Sequence, residues 1–145
     1  MAERHPTTNT GRAVKLLRNG LVGGLIAWAL AALGCVVGFG SAVTGAVLLA
    51  GAIAVAFFAM GQAVQVLFAE ADPVQVLVVS LLSYAIRVGG LAAFAVVAAR
   101  MLPASDGLAL AIVVISVVIG WLLAEIRAFR QLRIPAFDSS QGKTD

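Results

Sequence analysis

An all-α integral membrane fold, four transmembrane helices arranged as two antiparallel hairpins, is what this sequence predicts, on three observations. Hydrophobic residues make up 61% of the 145 positions and charged residues 12%, against roughly one half and one quarter in soluble domains. No charged side chain occurs between Asn19 and Ala69, a run about twice the ~20 residues that one membrane helix needs, so it holds two spans. Val74 to Arg100 supplies a third span and Leu108 to Ala124 the core of a fourth.

The polar segment before the first span, with Pro6 and Thr7-Thr8-Asn9-Thr10, has nothing to bury, and residues 1–13 read as a disordered tail. The first span then covers about 16–38, flanked by Arg12, Lys15 and Arg18. Its small residues Gly20, Gly24, Ala27, Ala31 and Gly34 recur every three or four positions, a ridge on which another helix backbone can approach closely. Ala32-Leu33-Gly34-Cys35 has a partial likeness to a lipoprotein cleavage site, but Ala32 and Leu33 are transposed and the apolar run continues, so Cys35 reads as a small buried residue. Gly38 to Gly45, rich in Gly, Ser and Thr, marks a tight turn.

The second span covers about 42–68 and gains Gln62 and Gln65 before ending at Glu70 and Asp72. Pro73 has no amide hydrogen to donate and suits the first turn of the third span, about 74–100. Arg100 to Gly107 is a turn in which Ser105 or Asp106 can cap the fourth helix, about 108–128. Trp121 falls near that helix's end, at the depth indole rings favour. Beyond it Arg127, Arg130 and Arg133 repeat every three residues beside Ile126, Phe129 and Leu132, which predicts a basic face running along the membrane surface until Pro135. Residues 135–145 read as a polar tail. Eight Lys and Arg residues lie in the two terminal regions and only Arg100 in the turns, so both termini are expected on the cytoplasmic side.

One residue breaks the apolar pattern. Arg87 sits inside the third span, and a guanidinium at the centre of a bilayer costs at least ~2.5 kcal/mol on insertion scales. Ser80, Ser83 and Tyr84 precede it at helical spacing and draw a polar face, a candidate partner-binding face. Three accounts of its compensation stand side by side. Arg87 can lie shallow enough to snorkel; it can pair with Glu125, although a count along antiparallel third and fourth helices leaves them more than about 10 Å apart; or it can meet a carboxylate of another membrane protein, a paired buried charge being a source of specificity.

The chemistry is otherwise sparse. The spans contain no nucleophile with a base, no paired acids and no metal set, and with His5 and Cys35 the sole His and Cys, no Cys/His site can form within one chain. Neither an enzyme nor a cofactor is expected. The basic residues flank apolar spans and lack interleaved aromatics, which disfavours nucleic acid as a partner. Gln62, Gln65, Glu70 and Asp72 supply oxygens that could form rings on a cation path if the chain assembles as a homo-oligomer; the plainer account is a polar helix end at the interface.

Phe57-Phe58-Ala59-Met60-Gly61-Gln62, Ser83-Tyr84 with Arg87, Trp121 with Arg127, and Arg133-Ile134-Pro135-Ala136-Phe137-Asp138 together resemble the small four-span family called ATP synthase protein I, in its high-GC Gram-positive form. The likeness covers about residues 42–138. It implies a non-catalytic accessory of the F1Fo ATP synthase in a bacterial cell membrane, assisting assembly of the c-subunit ring, with magnesium or calcium transport as the alternative. It also suggests that Arg87, with Ser83 and Tyr84, neutralises the membrane carboxylate of a c subunit.

Overall fold

The computed structural model describes residues 8–131, and these fold into four long helices without a strand. Helix α1 spans Asn9–Phe39, a 3-10 turn spans Ser41–Val43, α2 spans Thr44–Leu67, α3 spans Pro73–Met101 and α4 spans Ala104–Gln131. All four are long and apolar enough to cross a membrane, which makes this a multi-pass membrane protein. The four spans are as expected, with α1 packed on α2, and α3 and α4 only lightly in contact. Residues 1–7 and 132–145, including Arg133 and the tail expected at 135–145, lie outside the described residues.

The helix boundaries differ from the expectation in an instructive way at the start. α1 begins at Asn9 and not near residue 16, because Thr8 caps it: the Thr8 side chain accepts the Gly11 amide at 3.1 Å, satisfying one of the free N–H groups of the first turn. Residues 9–13, assigned to a disordered tail, are helical. At the other end Gly40 makes the turn. It holds φ +87°, a region that favours glycine, while its amide closes α1 on the Val36 carbonyl. Pro73 occupies the first turn of α3 as anticipated, with Asp72 in the cap position but making no side-chain cap bond. α4 starts at Ala104, ahead of the expected position, so Asp106 lies within its first turn and its amide bonds the Pro103 carbonyl.

Packing is dominated by α1 against α4. A β-carbon on Gly23 would stand 2.5 Å from the Gly120 carbonyl oxygen, and one on Gly120 would stand 2.4 Å from the Ala27 β-carbon, so the two backbones meet as only small residues permit. Gly20 and Gly24 form the floor for the fully buried Trp121 ring. Ala31 packs against the same core, whereas Gly34 has open space around it and takes no part in packing within the chain. α1 and α2 are joined through Trp28, whose ring lies on Gly51 and whose indole N–H donates to the Val47 carbonyl at 3.3 Å. Cys35 is buried and donates through its thiol toward the Ala109 carbonyl.

α3 is the loosely held member. It leans mainly on α2, touches α4 little, and leaves most of its surface outward. Between α3 and α4 lies an apolar cleft of about 550 Å³ bordered by Leu91, Phe94 and Ala98 on one side and Leu110 and Val114 on the other.

The close α1–α4 approach makes a direct prediction. Gly23→Ala should destabilise the bundle by about 1–3 kcal/mol through overpacking, read by denaturant unfolding in detergent micelles, and Gly34→Ala should leave the unfolding midpoint unchanged.

Candidate functional site: a buried arginine node

The node is built where α2, α3 and α4 face one another, in the half of the bundle that also holds the described chain ends and the 68–72 turn. α2 and α4 run in the same direction: Ala50 clusters with Leu110, and further along Phe58 packs tilted against Trp121 with ring centroids 5.5 Å apart. One helical turn beyond each aromatic stands a polar residue, Gln62 on α2 and Glu125 on α4. The register of the aromatic pair therefore sets these two side chains level.

Arg87 of α3 enters this space and is 6% exposed. Its Nη2 donates to Gln62 Oε1 at 3.1 Å and to Ser83 Oγ at 3.3 Å, and the guanidinium lies 5.6 Å from the centroid of the Phe58 ring. Ser83 in turn donates to the Gly61 carbonyl at 2.9 Å, tying α3 to α2 a second time. Gly61 is what admits the arginine, because a β-carbon there would sit 2.0 Å from Arg87 Nε. That Nε is buried without a hydrogen-bond partner. Glu125, half-buried, accepts the Trp121 indole N–H at 2.8 Å and acts on Arg87 through space. Among the described residues it makes no ion-pair contact with the guanidinium.

Magnitudes show why the arginine is tolerated. Its insertion cost of about 2.5–3.5 kcal/mol is offset by hydrogen bonds to Gln62 and Ser83 of about 1 kcal/mol each and a cation–π contact of about 1 kcal/mol, while Nε stays unpaired.

The geometry decides among the accounts of Arg87. It is almost fully buried and is engaged from within the chain by Gln62, Ser83 and Phe58, with Nε left unpaired. The Arg87–Glu125 ion pair weighed from the sequence is not formed among the described residues: Glu125 is engaged by the Trp121 indole, and α3 and α4 touch little. The polar face drawn on α3 divides accordingly. Ser83 and Arg87 point inward, Ser80 is half-buried, and Tyr84 is 63% exposed on the outer side.

The remaining sequence candidates separate as well. Gln62 gives its carbonyl oxygen to Arg87, Gln65 is half-buried, and Glu70 and Asp72 are exposed in the turn. A cation path along Gln62 would pass the guanidinium, which repels it. No three His, Cys, Asp or Glu residues converge among the described residues. Glu70 instead takes both the Thr10 amide at 2.9 Å and the Thr10 hydroxyl at 3.0 Å, capping the first turn of α1 from the 68–72 turn. Trp121 faces the bundle interior and not the lipid interface, because Gly20 and Gly24 leave a trough for its ring. Arg127 and Arg130 are exposed, but Ala128 between them is buried, so this stretch continues α4 as part of the bundle and is not a separate surface helix.

Sequence reasoning had not placed Phe58, Gly61 or Trp121 around Arg87. The available signal was the shared four-residue spacing of Phe58 with Gln62 and of Trp121 with Glu125. No family model, curated protein or solved structure matches this chain.

Two measurements follow from the node and its neighbouring cap. Gln62→Leu should destabilise the bundle by about 1–2 kcal/mol by removing a hydrogen bond to a buried cation, and adding Arg87→Met should restore much of that loss in a double-mutant cycle. Hydrogen bonds from Thr10 hold the Glu70 carboxyl below its ordinary 4.5. A carboxylate with a depressed folded value contributes its stability above the unfolded value and loses it as pH falls through the folded one. The Thr10 amide resonance should therefore titrate with a midpoint below 4.5, and that titration should vanish in Glu70→Gln.

Proposed function

We propose that this chain is a non-catalytic membrane accessory of the F1Fo ATP synthase that assists assembly of the c-subunit ring in a bacterial cell membrane, both termini on the cytoplasmic side. Its likeness to ATP synthase protein I in residues 57–62, 83–87 and 121–138 supports the family assignment, and the basic terminal flanks support the orientation.

The observation that carries the reading is the position of α3. One edge of this helix is pinned to α2, and its outer surface, with Leu77, Leu81, Tyr84 and Val88, is exposed over the length of the span. A helix so placed is suited to pack side by side with the apolar helix of a client. In this reading Arg87 does not neutralise a client's carboxylate, since it is engaged inside the bundle. It holds α3 at a fixed rotation so that the outer face is presented.

The test is a photo-reactive amino acid at Leu81 in cells that make the synthase, together with deletion of the gene. The reading expects a Leu81 crosslink to the c subunit and reduced assembled ring in the deletion strain. Absence of that crosslink with normal ring yield, or a crosslink to a second copy of this chain alone, would overturn it.

A further inference from the structure

We infer that the outer flank of the α1–α4 seam binds an anionic phospholipid, its headgroup phosphate held by Arg12, Lys15, Arg127 and Arg130 and an acyl chain lying along the seam. The inference goes beyond the assembly reading and does not need it.

The packing of the seam fixes which side each cation takes. On α1 the side toward α4 is marked by Gly20, Gly23 and Ala27, which meet Trp121, Ala124 and Gly120, and the side toward α2 by Trp28 on Gly51. At about 100° per residue, Arg12 and Lys15 fall on the flank of the seam turned away from α2. On α4, Trp121 packs against Phe58 and so marks the α2 side. Arg127 and Arg130 fall on the opposite flank. The two helices run antiparallel, with Gly23 against Ala124 and Cys35 reaching Ala109, so Lys15 stands about level with Arg130. Cations from two helices thus share one flank of one seam.

That flank carries no counter-charge of its own. The described part of α1 contains no acid; on α4, Asp106 lies at the far end, and Glu125 accepts from Trp121 on the α2 side. Glu70 is taken by Thr10. None of the four cations has a side-chain hydrogen bond or ion pair among the described residues. Toward the middle of the span the same flank turns apolar: Ile26 and Leu30 of α1 and Ile119 and Leu123 of α4 are exposed, and Gly23 and Gly120 place no side chain between them. Cations at a helix end above an apolar track match the two halves of a phospholipid, and basic pockets between transmembrane helices hold anionic headgroups. An acidic soluble partner would use the cations and leave the track bare.

Native mass spectrometry of the full chain in detergent micelles, with dioleoylphosphatidylglycerol or dioleoylphosphatidylcholine added in equal amount, tests this. Phosphatidylglycerol should be retained, and phosphatidylcholine, with the same chains and no net charge, should not; inorganic phosphate should not displace the bound lipid. Lys15→Gln combined with Arg130→Gln should weaken phosphatidylglycerol binding about thirtyfold, while Lys15→Arg with Arg130→Lys should keep it. Arg18→Gln, close in height but on the side of α1 turned away from α4, should leave binding unchanged, and unfolding midpoints of all variants should match the parent. Equal retention of the two lipids overturns the inference, as does displacement by inorganic phosphate. A loss in Arg18→Gln as large as in Lys15→Gln alone also overturns it, since that marks a diffuse basic belt and no site.

Discussion

A cation inside an apolar bundle imposes conditions on everything around it. Arg87 must find acceptors and an aromatic face without water. Ser83 lies one turn away on its own helix, and Gln62 and Phe58 come from α2. Those demands fix the rotation of α3 about its axis and its height against α2. Gly61 completes the arrangement by leaving room for Nε. Removing any one acceptor exposes the charge to hydrocarbon, so this cluster constrains the fold more tightly than its small size suggests.

The rest of the bundle is held by the opposite device, close approach between small residues. With lipid on the outside, apolar burial gives little drive for helices to associate, and packing must supply it. Gly23 against Gly120 brings α1 and α4 to backbone contact, and the same glycine-rich side of α1 takes the Trp121 ring whose indole then binds Glu125. The two devices are thus linked through one aromatic residue: the α1–α4 seam positions Trp121, Trp121 sets Glu125 and Phe58, and these frame the arginine. α3 joins this framework at the node and, further along, through Gly90 against Phe57 and Ala98 beside Ala50 and Leu110, which leaves its outer face available for contact.

Much of the fold was legible in the sequence because span length, charge-free runs and turn residues report directly on membrane crossings. Gly40 and Pro73 did what their backbone chemistry dictates. The early start of α1 was not legible, since Asn9 to Arg12 carry no apolar periodicity and owe their helix to the Thr8 cap and to Glu70, sixty residues away. Helix pairing was hidden for a related reason. An apolar span does not say which neighbour it meets, so the ridge at Gly20, Gly24, Ala27 and Ala31 was visible but its partner Gly120 was not. The candidate site was half legible: i, i+4 spacing joins Ser83 to Arg87 correctly, while Tyr84, about 60° around the helix, falls on the outer side. Glu125 was weighed as a partner from the sequence, but that it accepts from Trp121 and makes no ion pair with Arg87 among the described residues depends on how α4 packs, which spacing along the chain does not report.

The account turns on Arg87 being engaged within its own chain. Nuclear magnetic resonance of the arginine side chains in lipid nanodiscs measures this most directly, through exchange of the Arg87 guanidinium protons with water and their proximity to Gln62 and the Phe58 ring. Slow exchange with cross-peaks to both residues is the predicted result. Rapid exchange with water, or contacts to lipid headgroups in place of Gln62 and Phe58, would contradict it.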